Sequence, residues 1–231
     1  MRRLLQSRHL TRWKLQADSK NIIIDVLCRK GETVSSISCD DWVLVVGITD
    51  GLAKVYSLDT GHFITILNCR YDQYDLSPPV DQVFVILDVG DHVIVTATSD
   101  GVVIVRNKWT YGAFYRETHH GDTPIMAIKI VPGSGMVVTG SRQEIVIMNH
   151  VRKMVGSSSK QFQGEYMEIV DRVNLDLYGV VTCLDSDGIF IIIGTSKSLL
   201  SWNIQSRQIV YKIDTGLFHS NPSVSSFYSS P

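Results

Sequence analysis

Residues Val34–Leu67 read VSSISCDDWVLVVGITDGLAKVYSLDTGHFITIL, and this stretch decides the fold. It holds four short apolar runs, VSSIS, WVLVVG, LAKVYSL and HFITIL, separated by Cys39-Asp40-Asp41, Thr49-Asp50-Gly51 and Asp59-Thr60-Gly61. Runs rich in β-branched and aromatic residues favour the pleated strand. Asp-Gly and Thr-Gly supply the φ > 0 that tight hairpins need. The expectation is a four-stranded antiparallel meander, about the length of one propeller blade.

Three imperfect copies follow. The second reads VFVILDVG, DHVIVTATSDG and VVIVRNKWTYGAFYRET, and its Ser99-Asp100-Gly101 turn matches Thr49-Asp50-Gly51. The third begins near His119-His120-Gly121-Asp122, with Pro132-Gly133-Ser134-Gly135 as its first hairpin turn. The fourth reads GVVTCLDSDG, IFIIIGTSKS, LLSWNIQS and RQIVYKI, turning first at Asp187-Gly188. Placing Gly47, Ala97, Gly140 and Gly194 in register gives intervals of 50, 43 and 54 residues. The longer intervals absorb a polar connector at 68–79, containing Pro78-Pro79, and a polar insertion at 156–172. Within that insertion Tyr166, Ile169 and Val170 fit either an outer strand or a short helical turn. A small residue suits the register position because the inner part of a blade is crowded.

These residues carry a resemblance. The first copy resembles a WD repeat through Val34, Ile37, Gly47, Asp50, Gly51, Val55, Tyr56, Asp59, Thr60 and Gly61, with tyrosine where the family has its signature tryptophan. In the second copy Asp100-Gly101 matches and Arg106 stands at the tryptophan position; in the third and fourth, Met148 and Trp202 fall near it. His120 resembles the histidine of the family's Gly-His pair, which takes part in a hydrogen-bonded chain of His, Ser or Thr, Asp and Trp. The resemblance spans about residues 34–213. It implies an all-β propeller of about four four-stranded blades, 34–67, 80–118, 122–155 and 173–213, within 21–213. Four copies are the lower limit for a propeller, so the expectation is a partial or open ring. That ring is part of a longer array, is completed by another chain, or gains a partial blade from degenerate strands at Asn21–Cys28 and Glu165–Val173.

The flanks differ from the blades. Residues 1–20 are basic, with Leu4, Leu5, Leu10, Trp13 and Leu15, and read as an arm or short amphipathic helix; Asn21–Cys28 reads as a strand. The segment SRHLTRWKLQ is similar to the junction between an F-box and the first blade in F-box proteins with WD repeats. That similarity implies a Skp1-type adaptor as a partner of any adjoining F-box, and a substrate-recognition role in a ubiquitin ligase. Residues 214–231 are Ser-rich with few aliphatics and read as a disordered tail.

Composition narrows the function. A formal net charge of −1 gives no global field that would draw nucleic acid or an anionic membrane. Cys28, Cys39, Cys69 and Cys183 lack zinc-ligand spacing, and buried reduced thiols fit a soluble cytoplasmic or nuclear protein. No run of apolar residues is long enough to span a bilayer as a helix. No HExxH, GxSxG or phosphate-loop motif occurs, so no catalytic, metal or cofactor residue is assigned. Asp50 and Asp100, each followed by glycine, read as turn caps rather than ligands. Trp109, Tyr111, Phe114 and Tyr115 form an aromatic stretch that reads either as a binding surface or as an outer strand packed on a neighbour. The function expected is therefore a non-enzymatic protein-binding scaffold. The alternatives are an enzyme on a propeller scaffold, or a truncated fragment without independent function.

Overall fold

The computed structural model describes residues 3–7, 10–17, 20–26, 33–70, 83–121, 123–155 and 161–215. Four four-stranded antiparallel sheets follow one another in the chain, each a meander from inner to outer strand. Blade 1 comprises β4 (Val34–Cys39), β5 (Val43–Ile48), β6 (Leu52–Ser57) and β7 (Phe63–Asn68). Blade 2 comprises β8 (Val85–Val89), β9 (Val93–Thr98), β10 (Val102–Asn107) and β11 (Ala113–Thr118). Blade 3 comprises β12 (Ala127–Ile130), β13 (Met136–Gly140), β14 (Glu144–Val155) and β15 (Gln161–Asn174). Blade 4 comprises β16 (Val181–Ser186), β17 (Phe190–Thr195), β18 (Ser198–Asn203) and β19 (Gln208–Asp214). No helix among the described residues is long and apolar enough to cross a membrane.

The sequence explains why the second strand of each blade lies deepest. In VLVVGI and VIVTAT every residue is buried, because both faces of the strand meet apolar side chains. Near-continuous apolar runs of this kind are the mark of a strand covered on both sides. Three clusters seal the seams between blades. Val45, Ala53 and Val55 of blade 1 pack with Val85, Leu87 and Ile94 of blade 2. Val95, Val103 and Val105 meet Ile128, Val137 and Met148. Ile145 and Ile147 meet Ile191, Leu200 and Trp202. The register position at Gly47 is crowded from both blades, since a Cβ there would stand 2.7 Å from Ser36 Oγ of blade 1 and 3.0 Å from the Val85 carbonyl of blade 2.

Polar side chains stitch the innermost strands together. Ser35 Oγ and Ser36 Oγ donate to the Val85 carbonyl (2.7 and 2.6 Å). Ser38 Oγ donates to Asp88 Oδ1 (2.9 Å), and Asp88 Oδ2 accepts the Ile130 N–H (2.9 Å). Lys129 pairs with Asp185 at 2.9 Å. An inner strand has no sheet partner on its channel side, so these contacts satisfy backbone groups that would otherwise stand open.

Two segments differ from the sequence expectation. A three-stranded antiparallel sheet, β1 (Arg3–Ser7), β2 (Leu10–Ala17) and β3 (Lys20–Val26), stands where a short helix or arm was expected over 1–20. Thr11, Trp13 and Leu15 recur at period two, the strand period. The insertion after the third copy is a strand from Gln161 onward, so blade 3 runs to Asn174 rather than ending at 155. The alternation of Tyr166, Glu168 and Val170 belongs to that outer strand. Residues 71–79 of the polar connector, 156–160 of the insertion and 216–231 of the Ser-rich tail lie outside the described residues.

Candidate functional site

In blades 1 and 2 the hairpin turn between the first two strands and that between the last two lie at the same end of the sheet. There the sequence places two tryptophans. Trp42, in the first turn of blade 1, is 62% exposed, and Trp109, in the last turn of blade 2, is 59% exposed. An ion pair between these turns fixes their relation. Lys108 is buried, pairs with Asp40 and sits 4.7 Å over the Trp109 ring. Asp40 also caps its own turn, accepting the Trp42 and Val43 N–H groups at 2.8 Å each. Burial of the Asp40 carboxyl works against its charge, but the Lys108 bond and the two N–H groups outweigh it and hold its pKa below 3.8.

Of the four aromatics of this stretch, read either as a binding surface or as a packed outer strand, the structure turns only Trp109 fully outward. Tyr111 adopts φ = 60°, is half-buried and packs against the cluster between blades 1 and 2. Phe114 stacks on His150, centroids 5.0 Å apart, which ties β11 to β14. Tyr115 stacks on His119 and its hydroxyl lies 2.6 Å from His119 Nε2. Burial, then the nearby Glu117, pushes the Tyr115 phenol up to about 12, whereas burial, then His120 and Arg172, pushes His119 down to about 4. The phenol therefore stays protonated beside a neutral imidazole. Trp42 went unnoticed in the sequence because it opens an otherwise buried strand run. Its place beside Asp40-Asp41 in a turn was the available signal.

The turn residues sit at the opposite end. Asp50 Oδ1 accepts the Leu52 N–H at 3.1 Å, and Gly51 takes φ = 77°. Asp100 accepts the Thr98 hydroxyl, and Gly101 takes φ = 88° with the Gly121 carbonyl 2.7 Å from where a Cβ would stand. Fragments of a hydrogen-bonded chain survive in two blades. His120 contacts Thr139 Oγ1 (3.0 Å) through Nε2 and Glu144 (2.8 Å) through Nδ1, so Glu144 takes the place of a turn Asp. In blade 2 the buried Arg106 donates to Thr96 Oγ1 at 3.0 Å and to the Asn68 carbonyl of blade 1. These chains tie strands together; none converges on a cavity.

A cleft of about 480 Å³ opens at the tryptophan-bearing end, where blades 1, 2 and 3 meet. Its walls include Ile37, Asp88, Asp91, His92, Lys129 and His150. This volume falls in the range of small-ligand and peptide-anchoring sites. No group of three or more His, Cys, Asp or Glu positioned for a metal ion occurs among the described residues.

With this geometry the chain can be set beside known proteins. No family model matches it, and no curated protein sequence does. Solved structures do match. A chain of the "Crystal Structure of Mitotic Checkpoint Complex" aligns over 92% of this chain and 62% of its own length, at TM-score 0.63 and 14% identity. The "Structure of U3-55K" aligns over 80% of this chain and 52% of its own, at TM-score 0.56 and 10% identity. The "computationally designed Ika4 protein" aligns over 74% and 91%, at TM-score 0.52 and 18% identity. The fold is a WD-repeat-like β-propeller, and its four sheets do not close into a ring. The chain spans less than two thirds of the mitotic checkpoint complex chain and of U3-55K, so it is similar in fold to a part of each.

Proposed function

We propose that this propeller is a non-enzymatic protein-interaction scaffold whose binding face is the end carrying Trp42, Trp109 and the cleft between blades 1, 2 and 3. The observation that carries this reading is the exposure of two tryptophans, 62% and 59%, on turns locked by the buried Lys108–Asp40 pair. Exposed aromatics on a rigid scaffold supply large contact area at low entropic cost, and such residues dominate interface energetics. Within this reading the scaffold serves as the substrate-recognition part of an F-box ubiquitin ligase. Support for that refinement rests on the SRHLTRWKLQ junction alone. Affinity capture with the Trp42→Ala, Trp109→Ala double variant tests the face: partner recovery falls while the thermal transition stays in place, and unchanged recovery overturns it. Recovery of a Skp1-type adaptor by a version of the protein extended upstream tests the refinement; its absence removes the ligase role and leaves the scaffold.

A further inference from the structure

Blade 3 departs from its neighbours in its third strand. In the other blades that strand ends opposite the first residue of the second strand, at Ser57, Asn107 and Asn203. The equivalent residue in blade 3 is Asn149, paired with Met136, yet β14 continues to Val155, still paired with β15. Residues 150–155 thus form half of a two-stranded spur that projects past the sheet at the tryptophan-bearing end. The base of the spur is fixed. The His150 side chain is 8% exposed and stacked on Phe114, and Arg152 Nε pairs across the strands with Glu165 at 3.1 Å.

Within the spur β14 is paired on one edge only, by β15. On the other edge β13 begins at Met136, and the final contact is the His150 N–H to the Gly135 carbonyl at 3.3 Å. The His150 N–H points to that side. Alternation along a strand therefore sends the backbone N–H and C=O of Arg152 the same way. Among the described residues no strand pairs with this edge beyond His150. The edge rises from the wall of the cleft, which His150, Gly133 and Gly135 help to line.

Building on the scaffold reading, we infer that the open edge of β14 at 151–155 captures an extended peptide segment of a protein partner by strand addition, with one basic side chain of that segment reaching into the adjoining cleft. Main-chain hydrogen bonds supply affinity in this mode and a pocket supplies selectivity. The cleft fits a long cationic side chain. Its walls offer Val89, Ile130 and Pro132 to an aliphatic stem and the exposed Asp91 to the charged tip. The competing cation, Lys129, is already held by Asp185 at 2.9 Å. Asp88 is engaged by Ser38 and two backbone N–H groups, so Asp91 is the carboxylate left to recognise charge.

The test uses the full chain and a fluorescent, end-blocked octapeptide of alternating threonine and valine with one central lysine, read by anisotropy. Saturable binding is expected. Arg152→Pro removes one outward N–H, keeps the backbone bonds to β15 and gives up the Arg152–Glu165 pair. Arg152→Ala, which loses the same pair but keeps the N–H, is its control. The proline variant lowers affinity at least about tenfold below the alanine variant. Asp91→Asn lowers affinity about threefold for the lysine peptide and leaves a norleucine version unaffected. The same peptide N-methylated at alternate amides, which needs no protein variant, does not bind. Absence of saturable binding, or binding indifferent to N-methylation, overturns the inference. So does a concentration-dependent dimer that Arg152→Pro abolishes, since the edge would then serve a second copy. Partner capture that needs Trp42 and Trp109 but ignores Arg152→Pro removes strand addition alone and leaves the scaffold reading standing.

Discussion

Blades 2 and 4 carry the same strand pattern, yet one is sealed on both faces and the other is not. Ala53, Val103, Ile145 and Leu199 share one register position, each opposite the small residue at or next to the end of the second strand. The first three are 0% exposed because the following blade covers them, whereas Leu199 is 40% exposed. Beside it on the outer strand Tyr211 is 72% and Ile213 is 54% exposed, and Asp185 holds Lys129 with no further inner strand to stitch. The seams, then, rather than the single sheets, make this protein stable. A blade alone has one hydrophobic layer and nothing to press it against.

The sharpest way to break that comparison is to make the same cut on both sides of it. Ile145→Ala opens a cavity in the seam between blades 3 and 4 and costs about 2–4 kcal/mol. Leu199→Ala removes a larger side chain than Val103→Ala would, yet costs below about 1 kcal/mol because water already reaches it. Urea denaturation of the two variants reads the difference. Comparable losses would mean that Leu199 is buried in solution.

The seam between blades 1 and 2 adds charge to packing. Lys108→Met leaves Asp40 half-buried without its cation, an expected loss of about 2 kcal/mol at neutral pH. The folded state holds the Asp40 carboxyl below its ordinary value of 3.8. Its contribution is therefore full above about pH 4 and is lost as pH falls through the folded value. Lys108→Met should flatten that part of the acid limb, as thermal melts between pH 2 and 5 would show. A smaller effect is expected within blade 1: Asp50→Ala removes the Leu52 cap and costs about 1 kcal/mol by the same melts.

Seam 2/3 gives a pH signature of opposite chemistry. His119 is held neutral in the fold, down to about 4, whereas an unfolded histidine takes its proton near 6.5. Stability from this site is thus complete above pH 6.5 and declines as pH falls toward 4, because the unfolded chain binds the proton first. His119→Gln should remove that slope in midpoint-versus-pH measurements. A slope unchanged in the variant would assign it to another group, such as His120, which burial also shifts downward.

Much of the architecture was legible because turn chemistry and strand composition agree. Asp50-Gly51, Asp100-Gly101 and Asp187-Gly188 each fall between apolar runs, and each glycine adopts positive φ. What composition hid was placement across the chain. Lys108 looks like an ordinary charge after a strand; its burial depends on Asp40, 68 residues away. The spur of blade 3 was obscured by the polar run from Gly156 to Gly164, which carries little strand signature, so β15 read as an insertion. The aromatic stretch 109–115 left a binding surface and a packed outer strand open as readings, and strand alternation sends Phe114 and Tyr115 into different contacts.

Cysteine chemistry tests the sealed-against-open contrast without any mutation. Cys69 is 0% exposed within the cluster of blades 1 and 2, where burial pushes its thiol up. Cys183 is exposed on β16 and lies at the register position of Ser36, which in blade 1 reaches across to Val85. Alkylation of the native protein with iodoacetamide, resolved by peptide mass spectrometry, should label Cys183 at least about a hundredfold faster than Cys69. Protection of Cys183 equal to that of Cys69 would show that the far face of blade 4 is covered, and would contradict the open propeller.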